Sequence, residues 1–114
     1  MTKVKIEPGI CGFTTIVKAV SDPEDETDLT VRVASGCPSI KGMMEELGES
    51  FDAYEVCLQK PGVGPFYDYA KAHFPVHVSC PVINGILKCM EVEARLALKK
   101  DASIVFEEEP AEQA

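Results

Sequence analysis

The sequence predicts an α/β (α+β) fold with two layers, in which a small mixed or antiparallel sheet carries about three helices on one face. Segments early in the chain are rich in β-branched residues, whereas later segments carry apolar residues at helical spacing. The 114 residues, 46% of them hydrophobic, can supply one core. Helices on one face of a sheet bury such elements most simply. We therefore predict a single domain over residues 1–107 and an acidic, disordered tail over residues 108–114.

The first third of the chain is predicted to form three strands. Residues 4–6 and 13–20 are rich in β-branched side chains, and Pro8-Gly9 between them is typical of a tight connection. After an acidic turn, residues 29–34 alternate apolar and polar side chains with period two. This alternation indicates a strand with one buried face.

The middle of the chain is predicted to be helical. Apolar residues three and four positions apart predict a helix that begins at Pro38 and ends near Gly48. Residues 51–58 indicate a short helix, and residues 65–74 indicate another that has Pro65 at its start.

The last third is predicted to contain the longest helix. Residues 76–78 indicate a short extended piece, and an apolar stripe then predicts a helix from Pro81 to Leu98. Residues 102–106 have strand composition and are predicted to close the sheet.

Charge and hydropathy exclude several classes of partner. The net charge is −8 and the basic residues are scattered along the sequence, so we expect no nucleic-acid partner. The first residues lack the apolar run of a signal peptide, and no later stretch approaches the length of a bilayer span. We therefore expect a cytoplasmic protein with no membrane partner.

Two of the five cysteines begin the same short pattern. Cys37 and Cys80 each start Cys-Pro-x-Ile-x-Gly followed by two apolar residues. The pattern predicts that each cysteine lies beside the N-cap of a helix whose first residue is proline. Free backbone N–H groups and the helix dipole favour a thiolate there, which is the form that binds metals or acts as a nucleophile.

The cysteines together suggest a metal site. In a reducing compartment structural disulfides are rare, and the odd number of cysteines also argues against a disulfide framework. We predict a tetrahedral zinc ion or an iron–sulfur cluster. The predicted ligands are Cys11, Cys37, Cys57 and Cys80. His77 either joins Cys80 as a neighbouring group or faces solvent.

Two alternatives remain open for these thiols. One helix-terminal thiolate, at Cys37 or Cys80, could be a nucleophile or a redox-active group, which would make the protein an enzyme. The cysteines could instead only pack as small apolar side chains in an oligomeric interaction module. The sequence does not decide whether the protein is an enzyme.

The longest predicted helix carries a second apolar face, which either its own domain or a partner subunit must cover. We predict a homodimer through this C-terminal helix. The residues of this face are Val82, Gly85, Cys89, Val92 and Leu96.

Two short motifs carry family resemblances. Gly36-Cys37-Pro38 and Ser79-Cys80-Pro81, each followed by a predicted helix, resemble the TSCPD domains that occur as short proteins and at the ends of some ribonucleotide reductases. That resemblance implies a metal-binding role for Cys37 and Cys80. Residues 4–15, with Ser79-Cys80-Pro81 and residues 96–98, are also similar to a group of short proteins of unknown function from anaerobic microbes. That second resemblance implies reduced thiols and favours iron–sulfur chemistry.

Overall fold

A computed structural model describes residues 1–109 of the chain. Residues 110–114 of the predicted tail lie outside this range, whereas Glu108 and Glu109 are exposed. The helices and strands of the described part, in chain order, are β1 (Thr2–Ile6), β2 (Thr15–Asp22), β3 (Asp25–Ser35), α1 (Pro38–Leu47), β4 (Ser50–Asp52), α2 (Ala53–Cys57), α3 (Pro65–His73) and α4 (Val82–Glu93). None of these helices is long and apolar enough to cross a membrane.

The four strands form one antiparallel sheet in the order β1-β2-β3-β4, which confirms the predicted fold class. Every strand pairs with its neighbour in the chain. At one end of the sheet, Ile6 pairs with Thr15 and Thr15 pairs with Ser35. We call this the Ile6 end. At the opposite end, which we call the Thr2 end, Thr2 pairs with Ala19.

One face of the sheet is buried. Along β2, Thr15, Val17 and Ala19 are fully buried, whereas Lys18 and Val20 between and beyond them are exposed. This period-two alternation places the core between the sheet and the helices. Helices α1, α2 and α4 pack on the sheet, and α3 packs on α1.

Helix α4 crosses the sheet from the Ile6 end to the Thr2 end. Near its start, Gly85 lies so close to the Ile6 side chain that an added Cβ would overlap it. At its last residue, the Glu93 carboxylate accepts hydrogen bonds from the Thr2 hydroxyl at 2.7 Å and from the Ser21 amide and hydroxyl at 2.9 Å. Both ends of α4 are therefore fixed to the sheet.

The segment predicted as a helix over residues 51–58 is divided in the structure. Its first residues belong to β4, and α2 begins only at Ala53. Asp52 explains the boundary, because its carboxylate accepts hydrogen bonds from the amides of Tyr54 and Glu55 and so caps the helix.

The prediction that the last helix continues to Leu98 was wrong, since α4 ends at Glu93. Arg95 has a φ of 62°, a left-handed conformation that a helix cannot continue. The Leu96 amide donates back to the Glu91 carbonyl at 2.8 Å, which closes the helix end. The left-handed residue at a helix end is usually glycine, so an arginine at this position gives no sign of the helix end in the sequence.

The predicted closing strand over residues 102–106 was also wrong, because this segment has no regular secondary structure. Ile104 and Phe106 are 90% and 98% exposed. Strand composition favours an extended backbone, but a strand also needs a free sheet edge within reach, and this segment pairs with none. Residues 76–78 likewise form no strand.

The expectation that basic residues are scattered fails on the open face of the sheet. Lys3 pairs with Lys18, and Lys18 pairs with Arg32, so three strands present a row of basic residues there. All three are exposed. Sheet register gathers charges that lie far apart in sequence.

Candidate functional site

Three of the four predicted metal ligands lie at the Ile6 end of the sheet. Cys11 belongs to the loop that joins β1 to β2, and Cys37 follows the last residue of β3. Cys80 precedes α4, whose first turns lie over Ile6. Three separate segments therefore bring one cysteine each to the same end of the sheet.

Two of these segments are connected by a set of hydrogen bonds, which we call the relay. The hydroxyls of Thr15 and Ser35 are hydrogen-bonded at 2.9 Å, and the Thr15 hydroxyl also donates to the Phe13 carbonyl at 3.1 Å. The Cys37 amide donates to the Ser35 hydroxyl at 3.2 Å. The relay thus joins the backbone of the Cys11 loop to the turn that carries Cys37.

The Phe13 ring reinforces this connection. A Cβ added to Gly36 would lie 3.1 Å from the Phe13 ring, so the ring lies against the backbone just before Cys37. Only a residue without a side chain allows this approach at its present distance. Gly36 therefore allows the close contact between the Phe13 ring and the turn before Cys37.

Cys37 occupies the predicted position at the start of a helix. It is the N-cap of α1, Pro38 is the first helical residue, and no side chain caps the free N–H groups of the first turn. Cys80 differs from the prediction by one position, because Pro81 itself is the N-cap of α4. The shared Cys-Pro pattern therefore produces two different helix starts.

Cys57 lies away from the other predicted ligands. It ends α2, beside the part of α4 that carries Glu91. Burial and the negative charge of Glu91 raise the pKa of the Cys57 thiol to about 11. In metal-free protein a thiol with this pKa is protonated at neutral pH.

Cys89, on the second apolar face of the longest helix, packs inside its own domain. It is fully buried, and its Sγ lies 3.3 Å from the Thr2 carbonyl oxygen. Burial raises its pKa to about 11 as well. The sheet of the same chain therefore covers this part of the second apolar face, whereas Val92 on that face is only half-buried. Leu96, which was predicted on the same face, lies beyond the end of α4 and is also half-buried.

The cysteines at the Ile6 end do not form a closed cage. Within residues 1–109, no three His, Cys, Asp or Glu side chains are close enough together to hold a metal ion, and all five thiols are free. The four-cysteine site stays a prediction. The loops beside Cys11 and Cys80 carry fully exposed apolar side chains, with Ile10 at 104% and Val76 at 107% exposure.

Sequence reasoning missed Thr15, the one polar residue among the buried side chains described. The available signal was its position, because Thr15 continues the inward-facing series of Val17 and Ala19. A polar residue at an apolar position of a strand needs a buried hydrogen-bond partner. Ser35, twenty residues away, supplies that partner.

The chain belongs to a family of unknown function, DUF6951, which it matches over residues 2–106. No curated protein and no solved structure matches it. The family match includes all three cysteines at the Ile6 end and also the exposed apolar residues that follow α4.

Proposed function

We propose that this member of DUF6951 binds a thiophilic metal, as a zinc ion or an iron–sulfur cluster, through Cys11, Cys37 and Cys80. The observation that carries the proposal is the meeting of three cysteine-bearing segments at the Ile6 end of the sheet. Thiolates from separate segments, held by one rigid sheet, can surround a metal in three dimensions.

The relay supports the proposal because it fixes one ligand segment relative to another. Thr15 and Ser35 hold the backbone of Phe13 and Cys37. Residues outside the ligand set that hold the ligand segments by hydrogen bonds raise metal affinity, because fewer metal-free conformations then compete with the bound one.

Metal binding requires the loops that carry Cys11 and Cys80 to close. Ordering one residue costs about 1–2 kcal/mol, whereas zinc binding to structural thiolate sites contributes about 10–16 kcal/mol at neutral pH. The free energy of zinc binding therefore exceeds the free-energy cost of reordering several loop residues. Closure would also bring the exposed side chains of Ile10 and Val76 nearer to the body of the domain.

We assign the fourth coordination position to His77. It lies three residues before Cys80 in the same exposed loop, and a neutral imidazole is a common partner of thiolates around zinc. Cys57 is left out of the set because it ends α2 beside Glu91, away from the Ile6 end of the sheet.

The test is the metal content of protein purified without oxygen and then reconstituted either with zinc or with ferrous iron and sulfide. Cys11→Ser, Cys37→Ser and Cys80→Ser are each expected to lose the stoichiometric metal of the wild type, and Cys57→Ser, the matched control, is expected to keep it. Absorbance spectra identify a cluster, and circular dichroism confirms that each variant is folded. A wild type that binds neither metal, or a Cys57→Ser variant that alone loses it, would overturn the proposal.

Thiol chemistry at Cys37 is a second candidate, favoured by its place as the N-cap of α1. Helix N-termini stabilise thiolates and so activate nucleophilic cysteines. The two candidates differ in one respect that can be measured. A nucleophile requires fast alkylation of Cys37 in metal-free protein, with no protection when zinc is added, whereas a ligand is protected by zinc.

A further inference from the structure

The part of the chain after α4 exposes large apolar side chains. Leu98, Ile104 and Phe106 are each at least 90% exposed, and Val105 between the last two is 76% exposed. Single exposed apolar residues are common, but three in succession are typical of an interaction site.

This segment projects from the body of the domain. The described residues span 59 Å along the longest axis and only 31 and 25 Å along the others. Their radius of gyration is 15.5 Å, compared with about 13 Å for a compact chain of this length. The apolar side chains therefore lie beyond the reach of their own core.

A shallow groove lies where the segment leaves α4. Its volume is about 370 Å³, and it is lined by Val92, Arg95, Leu96, Ala97, Leu98 and Lys99. Val92 is the half-buried last member of the second apolar face of α4, and Leu96, also half-buried, follows the end of the helix. Four of its six lining residues are apolar, and both of its charged residues are basic.

The charges of the projecting segment complement this groove. Glu107, Glu108 and Glu109 directly follow the apolar residues. Arg95 already faces Glu26 at 3.5 Å, but that pair is exposed and weak. Lys99 is in no ion pair among residues 1–109, so the groove retains basic charge for an acidic segment.

We infer that residues 104–106 of one chain dock in the groove at the end of α4 of a second copy, and that the second copy returns the same contact. Ile104 and Phe106 cover Val92 and Leu96, while the following glutamates face Arg95 and Lys99. The contact is reciprocal, so the dimer closes with two-fold symmetry. Only four residues separate Lys99 from Ile104, and the segment projects outward, which favours the groove of another copy over its own.

Sedimentation velocity on the full chain tests the apolar part of this inference. The wild type is expected at twice the 12.4 kDa of one chain. Ile104→Asp with Phe106→Asp should raise the dissociation constant about tenfold or more, since each buried apolar side chain contributes strongly. Val76→Asp with Val78→Asp removes equally exposed apolar side chains elsewhere and should leave the dimer intact.

A charge exchange tests the polar part. One variant carries Arg95→Glu and Lys99→Glu, and the other carries Glu107→Lys, Glu108→Lys and Glu109→Lys. Each alone places like charges at the contact and should be monomeric. Mixed together they should form a heterodimer, because each groove then meets a tail of opposite charge.

Three results would overturn the inference. These are a monomeric wild type at high protein concentration, a dimer that survives Ile104→Asp with Phe106→Asp, and a charge-exchanged mixture that stays monomeric. A monomer whose tail is protected from proteolysis would show instead that the tail closes on its own groove. None of these measurements depends on metal, so the dimer and the metal site can fail separately.

Discussion

The hydroxyl oxygens of Thr15 and Ser35 lie 2.9 Å apart across the β2–β3 pair, at the end of the sheet where Cys37 begins α1. Thr15 is fully buried, and its hydroxyl also reaches the Phe13 carbonyl. Two side-chain hydroxyls therefore align the loop before β2 with the turn after β3. This alignment sets the relative position of two of the segments that carry the proposed ligands.

Thr15→Val replaces the hydroxyl with a methyl group of similar size. It leaves the Phe13 carbonyl and the Ser35 hydroxyl without their buried partner, so we expect a loss of about 1–3 kcal/mol in the free energy of unfolding. Urea denaturation measures this loss. Thr30→Val, at an exposed position of β3, is the matched control and should change stability by less than about 0.5 kcal/mol. Equal effects of the two substitutions would contradict the role of the relay.

Glu93→Gln tests the attachment of α4 to the sheet. Burial alone would raise the pKa of Glu93, but hydrogen bonds from Thr2 and Ser21 and the positive amino group of Met1 outweigh burial and hold the pKa below its ordinary value of 4.5. The carboxylate therefore stabilises the folded protein above about pH 4.5, and this contribution is lost as the pH falls through the lower folded-state pKa. We expect the variant to be less stable than the wild type by about 1–3 kcal/mol at neutral pH.

The difference between wild type and Glu93→Gln should shrink as the pH is lowered below the ordinary carboxyl pKa, as measured by urea denaturation at a series of pH values. Glu46→Gln, on the exposed side of α1, controls for the change in net charge. A constant difference at all pH values would show that the carboxylate charge does not contribute.

Alkylation kinetics should divide the thiols of metal-free protein into two groups. Raising a thiol pKa from 9.0 to about 11 lowers its thiolate fraction about a hundredfold near neutral pH, so Cys57 and Cys89 should react slowly with iodoacetamide. Cys11 is exposed and should react faster than Cys57 or Cys89. Mass spectrometry of quenched samples gives the rate at each site. In urea all five rates should converge, and a fast Cys57 in the folded protein would refute the argument from burial.

Gly85→Ala should destabilise the domain although alanine is the better helix former. The added Cβ would overlap Ile6 across the helix–sheet contact, and such overpacking costs about 1–3 kcal/mol. Thermal and urea unfolding measure the loss. Adding Ile6→Val should recover part of it, because the shorter side chain makes room. A second substitution that only adds to the first loss would contradict this account.

Local sequence patterns predicted an element correctly where its boundaries depend only on residues within it or next to it. Pro38 starts α1, the buried stripe of Ile40 and Met43 fixes its inner face, and Gly48 ends it, so the prediction agreed closely with the structure. The existence of the first three strands was also predicted, from their β-branched composition and from the alternation in the third, whereas the choice between a mixed and an antiparallel sheet was left open.

The predictions were wrong where backbone conformation or contacts between residues far apart in the sequence determine the structure. Helix α4 stops at Glu93 because Arg95 turns left-handed. This cause is not visible in the apolar stripe from which the helix was predicted. The separation of Cys57 from the other cysteines likewise depends on how α2 packs against α4, which periodicity does not specify.

Glu93 and Thr2 are 91 positions apart in the chain, which bears on the order in which the domain folds. Strands β1, β2 and β3 pair as successive hairpins that close short loops, so this part of the sheet can form from local contacts. The docking of α4 must close a loop of nearly the whole chain, and its contacts should therefore be weakly formed in the transition state for folding. Stopped-flow kinetics should show that Gly85→Ala accelerates unfolding far more than it slows refolding.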